Sequence, residues 1–128
     1  MATVTEIASG VYRINVVLPD RPVSYSLFVV DDDSPTLIET SFSAVFDEVK
    51  KAVESVVELK KIERIVVPHF EGDECGGLNN FLAAAPNAVA VCSPIGSSSI
   101  RDFTGKDPVV IADGEEITTG LKTLRFFL

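Results

Sequence analysis

Within the stretch Val66-Val67-Pro68-His69-Phe70-Glu71-Gly72-Asp73-Glu74-Cys75-Gly76-Gly77, one imidazole and three carboxylates fall inside a single turn of chain. No lysine or arginine is interleaved among His69, Glu71, Asp73 and Glu74, so the carboxylates repel one another unless something positive sits between them. A divalent cation meets that need. One borderline nitrogen with several hard oxygens suits iron, manganese or zinc rather than a thiol-selecting ion. A plainer reading competes with it. A histidine at a strand end can serve only as a hydrogen bonder, and acidic residues favour the start of a helix whether or not a metal is near. Spacing alone leaves both readings open.

Other candidate groups carry weaker signals. Cys75, beside the cluster, is a small residue at a helix start before it is a reactive thiol, and Cys92 sits in an apolar run that reads as core. Neither cysteine lies in a CxxC spacing, and a disulfide is not expected. The run Asp31-Asp32-Asp33 lacks EF-hand spacing and a closing glutamate, so it reads as a solvated hairpin tip. Ser97, Ser98 and Ser99 have no nucleophile elbow, and His69, the only histidine, leaves them without a second one to act as base. The glycines form neither a GxGxxG nor a Walker loop.

The elements that must position the cluster follow from periodicity. VYRINVVL, YSLFVVD and TLIET are β-branched and aromatic runs separated by turns at Pro19 to Pro22 and Asp31 to Pro35, which predicts an antiparallel start. From Ser43, a candidate N-cap, Val45, Val49, Ala52, Val53 and Val56 recur with helical period. IERIVVPH then reads as a short buried strand that delivers His69 to the carboxyl edge of the sheet, where open α/β sheets hold ligands. GGLNNFLAAAPN is a second helix, its glycines easing the turn into it. AVAVCSP is another buried strand, followed by a short helix around Ile95 to Phe103, and the tail closes with PVVIADGEEI, a turn at Thr119 and Gly120, and LKTLRFFL. The order predicts one α/β layered domain over residues 1–128, a mixed sheet with about three helices on one face. VVL, LFVV, IVV and AVAVC are apolar on both faces, so something must also cover the other face.

Composition excludes several partners. A net charge of −8 opposes binding to a phosphate backbone or an anionic bilayer, both of which reward clustered lysine and arginine. No apolar run approaches the roughly 18 residues of a bilayer span, and the start MATVTEIASGVYRI has no basic segment leading into an apolar one. Cytoplasm is the expected compartment.

PHFEGDECGGL resembles the metal-binding loop of the metallo-β-lactamase fold, His-x-[His or Glu]-x-Asp-His-x-Gly-Gly, and the glutamate at its second ligand position is similar to that of the branch holding flavodiiron and oxygen-binding diiron proteins. TLIETSF resembles the Leu-Ile-Asp-Thr-Gly strand end of that fold, with Glu39 in place of Asp. APNAVAVCSPIG and DGEEITTGLKTLRFF resemble the strand, helix and hairpin that follow, so the likeness spans nearly the whole chain. The resemblance implies His69 and Glu71 as ligands of one metal, Asp73 as a ligand of a second and the catalytic carboxylate, and Glu39 as a group orienting the ligands. Glu74 stands where most of the family has histidine; a carboxylate still binds iron, manganese or zinc.

The same resemblance implies the N-terminal half of a two-part fold, with the remaining ligands on a C-terminal half that would also cover the bare sheet face. Two activities follow from it. A dinuclear hydrolase lowers the pKa of a bridging water to about 7 and polarises a small-molecule substrate; a diiron protein binds O2 or NO and takes electrons from a flavin partner. A third reading is a non-catalytic half-domain that binds a partner or forms a homodimer, sheet against sheet.

Overall fold

In the computed structural model, which describes residues 1–128 apart from the side chain of Asp73, seven strands form one sheet in chain order. They are β1 (Ala2–Ala8), β2 (Val11–Val17), β3 (Ser24–Val30), β4 (Thr36–Ile38), β5 (Arg64–Val67), β6 (Val89–Cys92) and β7 (Val109–Val110). The first four pair antiparallel, and β4 to β7 pair parallel. The change of sense has a simple cause: tight turns join the early strands, whereas α1 (Phe46–Glu54), α3 (Leu78–Ala84) and α4 (Pro94–Thr104) lie in the crossovers. A short α2 (Gly72–Cys75) precedes α3, and β8 (Glu116–Thr118) with β9 (Thr123–Arg125) forms a separate hairpin.

Period-two alternation assigns each strand residue to a face. Ile14 and Val16, Leu27 and Val29, Leu37, Ile65 and Val67, Ala90 and Cys92 all join the main core. Against them pack Val49, Ala52 and Val53 of α1, Leu78, Phe81 and Leu82 of α3, and Ile100 of α4. Each fully buried aliphatic or aromatic side chain contributes roughly 1.5–3 kcal/mol, so this one-sided layer is the chief source of stability. The intervening residues Val66 and Val91 face the other way and form a second, smaller cluster with Ile111, covered by Ile38, Ile117 and Phe126. The mixed sheet with helices on one face is therefore as expected, and the β8–β9 hairpin supplies part of the cover on the other.

Three local readings are corrected, and one strand is added. β1 was not anticipated because all but its first residue are exposed, so its sequence carries no buried apolar pattern to read. Ser43 does not cap a helix: Ser43–Val45 is a 3-10 turn, α1 begins at Phe46, and no side chain caps either. The second helix begins at Leu78 and is preceded by α2, so Glu74 lies within a helical turn rather than before one.

The Asp31 to Asp33 run is not merely a solvated tip. Asp32 accepts from the Thr119 hydroxyl at 2.8 Å, the Leu121 N–H at 3.2 Å and the Lys122 N–H at 2.9 Å, as well as its neighbour Asp33 N–H at 2.9 Å. One carboxylate thus ties the β3–β4 turn to the tip of the β8–β9 hairpin. Burial by itself would raise its pKa, but the hydrogen bonds from Asp33, Thr119, Leu121 and Lys122 outweigh that and hold it at about 2. Among the described residues, no helix is long and apolar enough to cross a membrane.

Candidate metal centre

The ends of β4 and β5 build the site. β5 stops at Val67 because Pro68, which follows, has no N–H to continue a ladder. Beyond it the chain bends at Pro68 and His69 and is extended again at Glu71. Phe70 turns to one side, edge-on to Phe103 of α4 with ring centroids 5.6 Å apart, while His69 and Glu71 share the other. His69 Nε2 lies 3.5 Å from Glu71 Oε1, and both side chains are more than half exposed. Glu74 then comes round on the single turn of α2, and ligand atoms of His69, Glu71 and Glu74 all lie within 4.8 Å of one another. Bonds of about 2.1 Å to one cation place adjacent donors roughly 3–3.5 Å apart, a spacing the exposed His69 and Glu71 side chains reach by small rotations towards the half-buried Glu74.

Two observations bear on the plainer reading of this cluster. Glu71 occupies the N-cap position of α2 but makes no side-chain cap bond; its carbonyl instead receives the N–H groups of Cys75 at 2.8 Å and Glu74 at 3.1 Å, and the Cys75 thiol at 3.0 Å. Its carboxylate is not spent on the helix. His69 likewise is no buried hydrogen bonder, since its side chain is 64% exposed. The donor set therefore fits a cation of the iron, zinc or manganese type.

What holds the loop in place is the end of β4. Among the described residues, Glu39 and Ser41 are the non-glycine positions with positive φ, at 69° and 64°. Left-handed backbone at such residues costs of order 1–3 kcal/mol each, and it persists only where surrounding bonds enforce it. Here they do. The Glu39 N–H donates to Val66 O at 3.0 Å, and the N–H groups of Thr40 and Ser41 converge on Glu74 O at 3.0 and 2.8 Å. Ser41 O in return accepts from Gly77 N–H at 2.9 Å. The strand end thus grips α2 at the residue whose carboxylate joins His69 and Glu71. Gly77 must approach closely for this: a Cβ there would meet Thr40 O at 3.3 Å and Ser41 O at 3.4 Å.

A cavity of about 420 Å³ opens beside this joint, walled by Ser24, Tyr25 and Ser26 of β3 on one side and by Glu39, Ser41, His69 and Glu74 on the other. Of the residues expected to do chemistry, His69, Glu71 and Glu74 come together, and Glu39 lies at the same cavity. The side chain of Asp73, expected to ligate a second ion, lies outside the described residues. Ser41 was not anticipated; the signal was its place in TLIETSF, where the Leu-Ile-Asp-Thr-Gly pattern has glycine. Cys75 and Cys92 are buried thiols, as expected of packed cysteines, and burial pushes the Cys92 pKa up. A larger cavity of about 680 Å³, near Asp31, Glu58, Lys60 and Glu63, contains no imidazole, and its carboxylates are interleaved with lysines.

Comparison with known proteins gives this geometry a context. The pattern of the ODP family beta lactamase matches residues 23–127. The chain is 30% identical to the rubredoxin-oxygen oxidoreductase of Megalodesulfovibrio gigas over 107 residues, 81% of this chain and 27% of that protein. It is 21% identical over 112 residues to the nitric oxide reductase of Moorella thermoacetica, 83% of this chain and 27% of that protein. Among solved structures, a mutant flavo di-iron protein from Thermotoga maritima superposes with a TM-score of 0.90 at 23% identity, covering 100% of this chain and 36% of that one. The chain thus spans about a third of the length of the relatives it matches.

Proposed function

The chain belongs to the ODP family of beta lactamases, and from that premise we propose that it holds iron at His69, Glu71 and Glu74, with Asp73 serving a second ion, in a protein that reduces oxygen or nitric oxide. The observation that carries this reading is the convergence of one imidazole and two carboxylates within 4.8 Å, none of them spent on capping or core packing. The choice of iron over zinc or manganese, and of O2 or NO over a hydrolytic substrate, follows the relatives named for flavo di-iron chemistry, oxygen and nitric oxide. Bound iron would supply one-electron chemistry, with electrons arriving from a flavin partner. This chain's residues would hold and orient it. His69 and Glu71 would approach from the segment after β5 and Glu74 from the helical turn, while the Glu39 carboxylate at the cavity would orient them.

Three described donors leave a cation with open positions for substrate or for donors from another layer. A second copy packed sheet against sheet would provide such a layer. In favour of it, Leu121 at the tip of the β8–β9 hairpin is 93% exposed. Light scattering on the eluting protein is expected to give the mass of a dimer, and a monomer refutes self-association.

Anaerobic loading with Fe(II), desalting and elemental analysis test the metal. Wild type is expected to retain iron and His69→Ala to lose it. A wild type that emerges metal-free, or an alanine variant that retains as much iron, overturns the reading; retention of zinc in preference to iron would move it towards hydrolysis.

A further inference from the structure

We propose that Ser41 is a positioning residue of this centre: its hydroxyl donates to the carboxylate that Glu74 turns onto the cation. The inference rests on the metal reading above and concerns how this chain holds its ligand. Ser41 is only 3% exposed, and its Oγ has no hydrogen-bond partner among the described residues. A buried hydroxyl left so is a liability to the fold, and the backbone adds a second, because φ of 64° is a conformation in which glycine is relaxed and serine strained. Serine is thus unfavourable twice over at a position where the pattern it resembles carries glycine. Such a side chain, lining a cavity shared with Glu39, His69 and Glu74, is what a functional requirement leaves behind.

The acceptor follows from the backbone. The Ser41 N–H is bonded to Glu74 O at 2.8 Å, so the two residues are fixed to each other whatever occupies the cavity. The hydroxyl does not turn back on a neighbouring carbonyl, as serine commonly does, and carboxylates are the strong acceptors at this cavity. Glu74 stands where most of the resembled family has histidine, and a carboxylate, with two oxygens free to exchange, benefits from a donor that fixes which one faces the metal.

Ser41→Gly and Ser41→Ala separate the two roles of the residue, with Co(II) as the probe. Metal-free Ser41→Gly is expected to melt above wild type, since both liabilities are removed, while its Co(II) affinity by calorimetry falls roughly 10-fold, the lower end for loss of a group that orients a ligand. Ser41→Ala keeps the strained backbone and should lose the same affinity. In both, the visible absorption of bound Co(II) should change in position or intensity, a readout that a purely structural serine would not move. Variants that bind Co(II) with wild-type affinity and spectrum, while His69→Ala abolishes binding, overturn the role of Ser41 and leave the metal site standing. A wild type that binds no Co(II) removes both.

Discussion

Gly76 offers a test of how the loop is built. It joins α2 to α3 with φ of −59° and ψ of −27°, angles that alanine adopts readily, so backbone preference gives no reason for glycine there. The reason is space: a Cβ on Gly76 would collide with the carbonyl oxygen of Gly72, the acceptor of the Gly76 N–H at 3.1 Å. In Gly76→Ala that turn must open, losing about 1 kcal/mol with the hydrogen bond and about 1–3 kcal/mol in displaced packing. Reduced freedom of the unfolded chain returns about 0.4–1 kcal/mol. The net expectation is a loss of about 1–3 kcal/mol, or a fall in melting temperature of roughly 4–12 °C for a domain of this size. Gly96→Ala is the control. It lies in α4, where a Cβ meets nothing closer than 3.9 Å, so the same chemical change should stabilise by about 0.5–1 kcal/mol. Thermal melts of the metal-free proteins by circular dichroism decide. If Gly76→Ala melts at or above wild type, the close approach of Gly72 and Gly76 is not what fixes the loop. Because the opened turn carries Glu74, Gly76→Ala should also weaken metal retention, and Gly96→Ala should not.

Asp32→Asn should destabilise the protein at neutral pH, since an amide presents an N–H to donors the carboxylate accepts from. With its folded pKa of about 2 below the ordinary 3.8, Asp32 contributes stability that is complete above about pH 4 and lost as pH falls towards 2. The gap in melting temperature between wild type and variant should therefore close over that window; a gap that persists at pH 2 would count against the clamp. Phe81→Ala removes a fully buried ring packed edge-on against Phe46 at 4.9 Å and should cost about 3–5 kcal/mol in urea unfolding. A cost under about 1 kcal/mol would mean that α3 collapses freely into the space, contrary to the tight layer described.

Much of the fold was legible because burial writes itself into period. Leu27, Val29, Leu37, Ile65 and Val67 are apolar where the pleat faces the helices, and the two-sided runs IVV and AVAVC announced strands buried on both faces. β1, exposed along nearly all its length, obeys no such rule and could be recognised only once β2 was there to pair with it. The site divides the same way. The order of residues alone put His69, Glu71 and Glu74 within one turn, since they are close in sequence and no lysine or arginine intervenes. Residues distant in sequence were another matter. Asp32 reaches Thr119, 87 positions away, and Ser41 is tied to Glu74 across a whole crossover. Nothing local marks either pair, because a carboxylate in a turn and a serine after a strand have ordinary local uses. Which groups could bind a metal was therefore readable along the chain. That the strained end of β4 grips the loop carrying them was not, because the contact exists only when two parallel strands lie side by side.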